Sequence, residues 1–341
     1  TPLSAAFWVF LYNLISGVIL AQSVNAWNPT ANARGALADT PTWLFELLLH
    51  PLAFAYFVWL LTAAQSLYKP LLERDFGIPQ SHINACLNRA GMLMQNSRLF
   101  WISFGFAILA GAATATVFLN PLIFSNRSWL TAHPLLAWTR ALSYSIVIYT
   151  LTLVVCNSAI LIDTLGKILN RADFVFYPLD PDNAGGLGSV GRFSANFAYI
   201  GAACGIVLAV TAFYEPGNLI LFKDYVLLLY FLLYFAIVPL LFIAPLWKTH
   251  LSMKKYRDSL ILALAIENHD YLKRISEVPS PRPDSGLVHE FVHFLDLEKA
   301  YGAVKEYPTW PFGTSSLRKF LGLTVAPLVP VLVSVVQELW L

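Results

Sequence analysis

Three groups of residues have the types and spacing for chemistry. The first is His289-Glu290-Phe291-Val292-His293, which spells HExxH. On a helix its two imidazoles, four residues apart, project from one face and can hold Zn²⁺. Glu290 between them would polarise an attacking water, as the base of a metallopeptidase does. The second is Glu46 and His50, also four apart, beside Pro51 and inside an apolar stretch. A carboxylate and an imidazole on one helical turn can relay a proton or hold an ion, and an ionisable residue within a membrane segment is a functional candidate by default. The third is the turn holding Asp180, Asp182, Asn183, Gly185, Gly186 and Gly188. Glycine-rich backbone can present successive N–H groups to an anion or a phosphate, and the carboxylates can hold a cation.

The surroundings limit each group. Around the HExxH, Leu287, Phe291 and Phe294 make an apolar stripe, and His289, His293 and Asp296 fall about 200° away on the opposite side. A solvated or partner-facing polar stripe belongs there. The longer HExxHxxGxxH spelling is absent, since Asp296 and Lys299 stand at those offsets. Gly186 to Gly191 spells GxGxxG, but a dinucleotide fingerprint needs a strand before it and a βαβ unit around it. A calcium loop fails as well, because Gly191 stands where its bidentate Glu must be. The turn is expected as a tight loop with glycines at positive φ, and as a second candidate site. Glu46 and His50 lie near the outer end of their apolar stretch, where a solvated pair is as natural as a relay.

The elements that must position these residues are set by composition. Of 341 residues 57% are hydrophobic and 12% charged, with mean hydropathy +0.61. A soluble domain carries about 25% charged residues, so the chain is expected as all-α and polytopic in a membrane. Seven apolar runs approach the roughly 20 residues that span a bilayer, at about 3–23, 43–64, 99–119, 141–162, 194–214, 225–246 and 320–341. The first lacks a basic leader and is read as a retained helix. The last contains Pro327 and Pro330. Cys86, Cys156 and Cys204 are far apart and form no CxxC, which argues against a disulfide framework or a four-cysteine zinc site. Gly201 and Gly205 form a GxxxG, expected to pack spans within the chain.

Basic residues orient the bundle. Of the 22 Lys and Arg, all but Arg34, Arg127, Arg140 and Lys223 follow the second, fourth and sixth spans. Lys and Arg are retained on the cytoplasmic side, so the N-terminus is expected inside and the C-terminus outside, in a membrane such as the bacterial inner membrane. Three parts follow: a six-span bundle over 1–246, a cytoplasmic helical hairpin over 247–319, and a C-terminal span over 320–341. The hairpin is broken at Pro279 to Pro283.

Function stays open between three classes. The leading one is non-enzymatic: a channel or pore-like assembly, or a sensor or docking subunit of a membrane complex. Its partners would be the bilayer, further copies of the chain or other subunits, and a cytosolic protein held by 247–319. No nucleic-acid partner is expected. The second is a membrane zinc metallopeptidase using His289, Glu290 and His293, with Zn the only cofactor indicated. The third is a small-solute transporter, for which helices interrupted near Pro51, Pro239 or Pro245 are the feature to seek.

Overall fold

The computed structural model describes residues 1–28, 35–119, 129, 134–170, 174–175, 177, 180–182, 184–214, 225–276, 285–312 and 314–329. The described residues form helices and no strand. In order they are α1 (Pro2–Ser23), α2 (Thr40–Leu44), α3 (His50–Glu73), α4 (Gln80–Met94), α5 (Ser97–Leu119), α6 (Pro134–Leu169), α7 (Gly188–Tyr214), α8 (Tyr225–Ser276), α9 (Ser285–Lys305) and α10 (Thr314–Val325). A π-helical turn, Phe45–Leu49, joins α2 to α3, so that Thr40–Glu73 runs as one rod.

Six helical segments are long and apolar enough to cross a bilayer: Pro2–Ser23, Thr40–Glu73, Ser97–Thr116, Leu135–Leu169, Gly188–Thr211 and Phe231–Asp270. This fits a multi-pass membrane protein. The expected seventh, 320–341, is not among them. Its described part is the end of α10 and a 3₁₀ turn, Ala326–Leu328, carrying Pro327; residues 330–341 lie outside the described set. Several helices overrun their apolar runs. α8 reaches 52 residues, which at 1.5 Å per residue is about 78 Å, more than twice a hydrocarbon core.

The core lies between α3, α6, α7 and α8. Leu60, Leu67, Tyr68, Leu161, Leu165, Phe197, Phe242 and Met253 are buried there. Hydroxyls tie the rods across it: Tyr68 donates to the Leu161 carbonyl at 2.7 Å and Tyr234 to the Thr324 carbonyl at 2.7 Å. α1 and α5 instead expose large apolar side chains, among them Trp8, Tyr12, Phe106 and Leu109. In lipid such a surface needs no cover.

Two glycines of α7 let neighbouring helices approach closely. A Cβ at Gly201 would stand 2.7 Å from Val238 Cγ1 of α8 and 3.1 Å from Thr324 Cγ2 of α10, and one at Gly205 would stand 3.0 Å from the Tyr234 hydroxyl. The GxxxG thus seats α8 and α10 of the same chain. α10 follows α7 in parallel: Lys319 lies over the Tyr199 ring at 4.6 Å, and Pro327 reaches Gly205. Pro239 and Pro245 leave α8 a single helix, and Thr249 Oγ1 donates to the Pro245 carbonyl at 2.9 Å.

The loops after the second, fourth and sixth apolar helices meet at one end of the bundle. Arg74 pairs with Asp180, a Cβ at Gly191 would meet the Pro311 carbonyl at 2.5 Å, and His250 Nδ1 donates to the Thr309 carbonyl at 2.7 Å with its ring stacked on Trp310.

Candidate functional site

Glu46 and His50 lie at the other end, and they are buried. Their side chains are 12% and 5% exposed, so the pair is shielded within the bundle, against the solvated alternative that its position near the end of the apolar stretch leaves open. The π-turn explains the local geometry. The His50 N–H bonds the Phe45 carbonyl, five residues back, instead of the Glu46 carbonyl four back. The Glu46 carbonyl is thereby released, and Asn13 Nδ2 of α1 donates to it at 2.7 Å. Pro51, lacking an N–H, sits just beyond the irregular turn. Such π-bulges are frequent at functional positions.

α6 supplies the countercharge. Arg140 Nη1 pairs with Glu46 Oε1, Nη2 donates to the Thr42 carbonyl at 3.0 Å, and Ser143 Oγ donates to Glu46 Oε1 at 2.7 Å. The guanidinium is 6% exposed and lies 5.4 and 5.3 Å from the stacked rings of Phe45 and Tyr144, within cation–π range. Its Nε is buried with no hydrogen-bond partner. A charge at this depth is costly in hydrocarbon, and the pair with Glu46 is what makes it tolerable.

His50 closes the cluster. Its Nδ1 is 3.3 Å from Glu46 Oε2 and 3.1 Å from Asn13 Nδ2. The carboxylate accepts only and the amide nitrogen donates only, so Nδ1 can serve just one of them at a time. With a proton on Nδ1 it donates to Glu46; bare, it accepts from Asn13. The packing around the cluster is apolar, from Phe45, Leu49, Val147, Ala203 and Val207. Asn13 is itself buried near the midpoint of α1, whose 22 residues rise about 33 Å.

Sequence reasoning named Glu46 and His50 and missed Asn13, Arg140 and Ser143. Arg140 was assigned to the outer loop before a span at 141–162, whereas α6 begins at Pro134 and carries it inside. The signal was present: an arginine between the apolar runs Leu135–Trp138 and Ala141–Leu142.

The glycine-rich turn is closed on itself. Asp182 Oδ1 accepts from the N–H groups of Ala184 at 2.8 Å and Gly186 at 3.0 Å, and Oδ2 accepts from Gly188 at 2.9 Å, the first residue of α7. The amides of Ala184, Gly186 and Gly188, which could have cradled an anion, face the chain's own carboxylate, as a tight loop requires. Gly185 and Gly186 adopt φ of 65° and 83°. Asp180 Oδ1 accepts from the Asp182 N–H at 3.0 Å, and Oδ2 pairs with Arg74. That backbone bond, aided by Arg74, holds the Asp180 carboxyl below its usual range. Asn183 lies outside the described residues.

The HExxH falls on α9. The side chain of His293 is exposed, and those of His289 and Glu290 lie outside the described set. Among the described residues no three His, Cys, Asp or Glu gather as metal ligands. Comparison with known proteins assigns no family: no family model, no curated protein and no solved structure matches the chain.

Proposed function

We propose that the chain is a non-enzymatic multi-pass membrane protein, a sensor or docking subunit, whose working part is the Asn13–Glu46–His50–Arg140 centre. That centre acts as a proton-linked switch between three spans. The observation that supports this is the position of His50 Nδ1, within reach of both a carboxylate oxygen and an amide donor. Imidazole is the side chain whose charge ordinarily changes between about pH 5 and 8. A protonated ring commits Nδ1–H to Glu46, and Asn13 keeps only the Glu46 carbonyl. A ring with Nδ1 bare takes the Asn13 amide, and Glu46 is left to Arg140 and Ser143. The two states weight the contact of α1 with the π-turn differently. The ring is faced by Asn13 from α1, by Glu46 and Phe54 on its own rod, and through Glu46 by Arg140 of α6.

The read-out runs through α6, one helix from Arg140 to Gly166, where a Cβ would meet Lys248 of α8 at 3.2 Å. The excess of Lys and Arg assigns that end to the cytoplasm, with the N-terminus inside. Segment 320–341 is then a seventh span with the C-terminus outside, and α9 packed against α8 forms a cytoplasmic hairpin for a protein partner. Histidine labelled with ¹⁵N tests the switch. The His50 resonance, assigned by its loss in His50→Gln, should move between donor and acceptor positions over the pH range in which the protein stays folded, and in Asn13→Leu the acceptor position should be lost. A ring fixed in one state across the range would contradict the proposal.

A small-solute transporter is the second reading, favoured by the π-turn that interrupts the rod beside buried charges and Pro51. Proton flux into proteoliposomes that Glu46→Gln abolishes would select it; baseline leakage in both would select the sensor.

A further inference from the structure

At the end of the bundle opposite the polar centre, a cleft of about 500 Å³ opens between α3, α4 and α6. Its walls are Ala64, Tyr68, Leu72, Leu87, Ala90 and Leu161, and its rim carries Lys69 and Glu73. We infer that this cleft holds one zwitterionic aminophospholipid of the adjoining leaflet, its glycerol and upper acyl chain against the apolar walls and its headgroup on Lys69 and Glu73. The inference rests on the chain spanning a bilayer, and not on the role of the polar centre.

Depth is the first support. The apolar run of the second span ends near Ala64, and Leu161 ends that of the fourth, so the floor of the cleft sits at the edge of the hydrocarbon. Lys69 is five residues further along α3, about 7.5 Å, and Glu73 another four, about 6 Å. The headgroup layer is roughly 5–8 Å thick on each side of the core. Lys69 therefore stands at the level of the lipid phosphates, and the Glu73 carboxylate reaches back to within 3.5 Å of its ammonium, so that both charges meet the same headgroup.

Charge is the second. Lys69 Nζ and Glu73 Oε1 are 3.5 Å apart, and both side chains are well exposed, 69% and 61%. An exposed pair in this order, the cation N-terminal to the acid, adds little to helix stability. A phosphate on the ammonium and a headgroup ammonium on the carboxylate satisfy both. An anionic lipid without an amine would meet the carboxylate unpaired.

The test uses Gly91, which lines the cleft and whose added Cβ would meet nothing within 4 Å. The full chain is placed in nanodiscs of phosphatidylethanolamine and phosphatidylglycerol in equal amounts, released, and its retained lipids are read by native mass spectrometry. Wild type should retain phosphatidylethanolamine about tenfold over phosphatidylglycerol, the factor set by one charge-assisted contact. Gly91→Phe should retain neither above background, with an unchanged thermal transition. Glu73→Gln, an exposed change that spares the fold, should bind both lipids alike. Equal retention of the two lipids by wild type, unchanged retention in Gly91→Phe, or an undiminished preference in Glu73→Gln would overturn the assignment.

Discussion

Arg140 carries the most consequence of any single residue. Arg140→Met leaves Glu46 buried and short of its main partner, and removing one member of a buried pair costs about 3–5 kcal/mol. The double change Glu46→Gln with Arg140→Met should cost clearly less than the two single losses together, because it leaves no orphaned charge. Reversible unfolding in a defined detergent measures both; strict additivity would show that the pair does not act as one. His289 and His293 belong at this scale too. The sequence pattern sets them on the polar face of their helix with no third ligand spelled nearby, so purified protein should hold zinc well below one equivalent, and His289→Ala should not change that content. A full equivalent lost in His289→Ala would restore the peptidase reading. Glu46 and His50 were legible because charge in an apolar run is conspicuous. Asn13 was not, since an amide carries no charge and its partner, the Glu46 carbonyl, exists as a free acceptor only because the π-turn displaces the His50 N–H.

Among the elements, the turn before α7 shows how a motif can be spent on structure. Asp182 gathers three amides and starts the helix, and Gly186 has φ +83° with Arg74 Nη1 only 2.8 Å from where a Cβ would stand. Gly186→Ala should therefore destabilise by about 1–2 kcal/mol, read as a lowered thermal transition. Asp180 adds a pH dependence. Its folded carboxyl titrates below the unfolded value, so its contribution is complete above the ordinary carboxylate range and is lost as pH falls through the lowered folded value. Protection of the amides in residues 184–188, taken relative to the intrinsic exchange rate at each pH, should fall at acid pH in wild type and be independent of that titration in Asp180→Asn. The glycines and acids of this turn were visible in the sequence, but its direction was not: whether amides face a ligand or an internal carboxylate depends on backbone angles that spacing does not encode. The GxxxG of α7 was readable because small residues have one main use between packed helices.

For the molecule as a whole, the alternation of basic loops placed the connections after the second, fourth and sixth spans together, and Arg74–Asp180, Gly191–Pro311 and His250–Thr309 now join them. The number of crossings was less legible, because Pro327 and Pro330 interrupt the last apolar run and α10 ends as a helix at Val325. Reporter fusions after Gln95, after Asn170 and at the C-terminus should place the first two in the cytoplasm and the third outside; a cytoplasmic C-terminus would reduce the crossings to six. The central claim is that protonation at the buried centre is felt at the far end of α6 and α8. Hydrogen–deuterium exchange on the full chain in nanodiscs, at pH 5.5 and pH 8, tests it most directly. A pH-dependent change in protection in 1–23 and 247–276 that disappears in His50→Gln is the result expected. The same change in His50→Gln, or none in wild type, would contradict it.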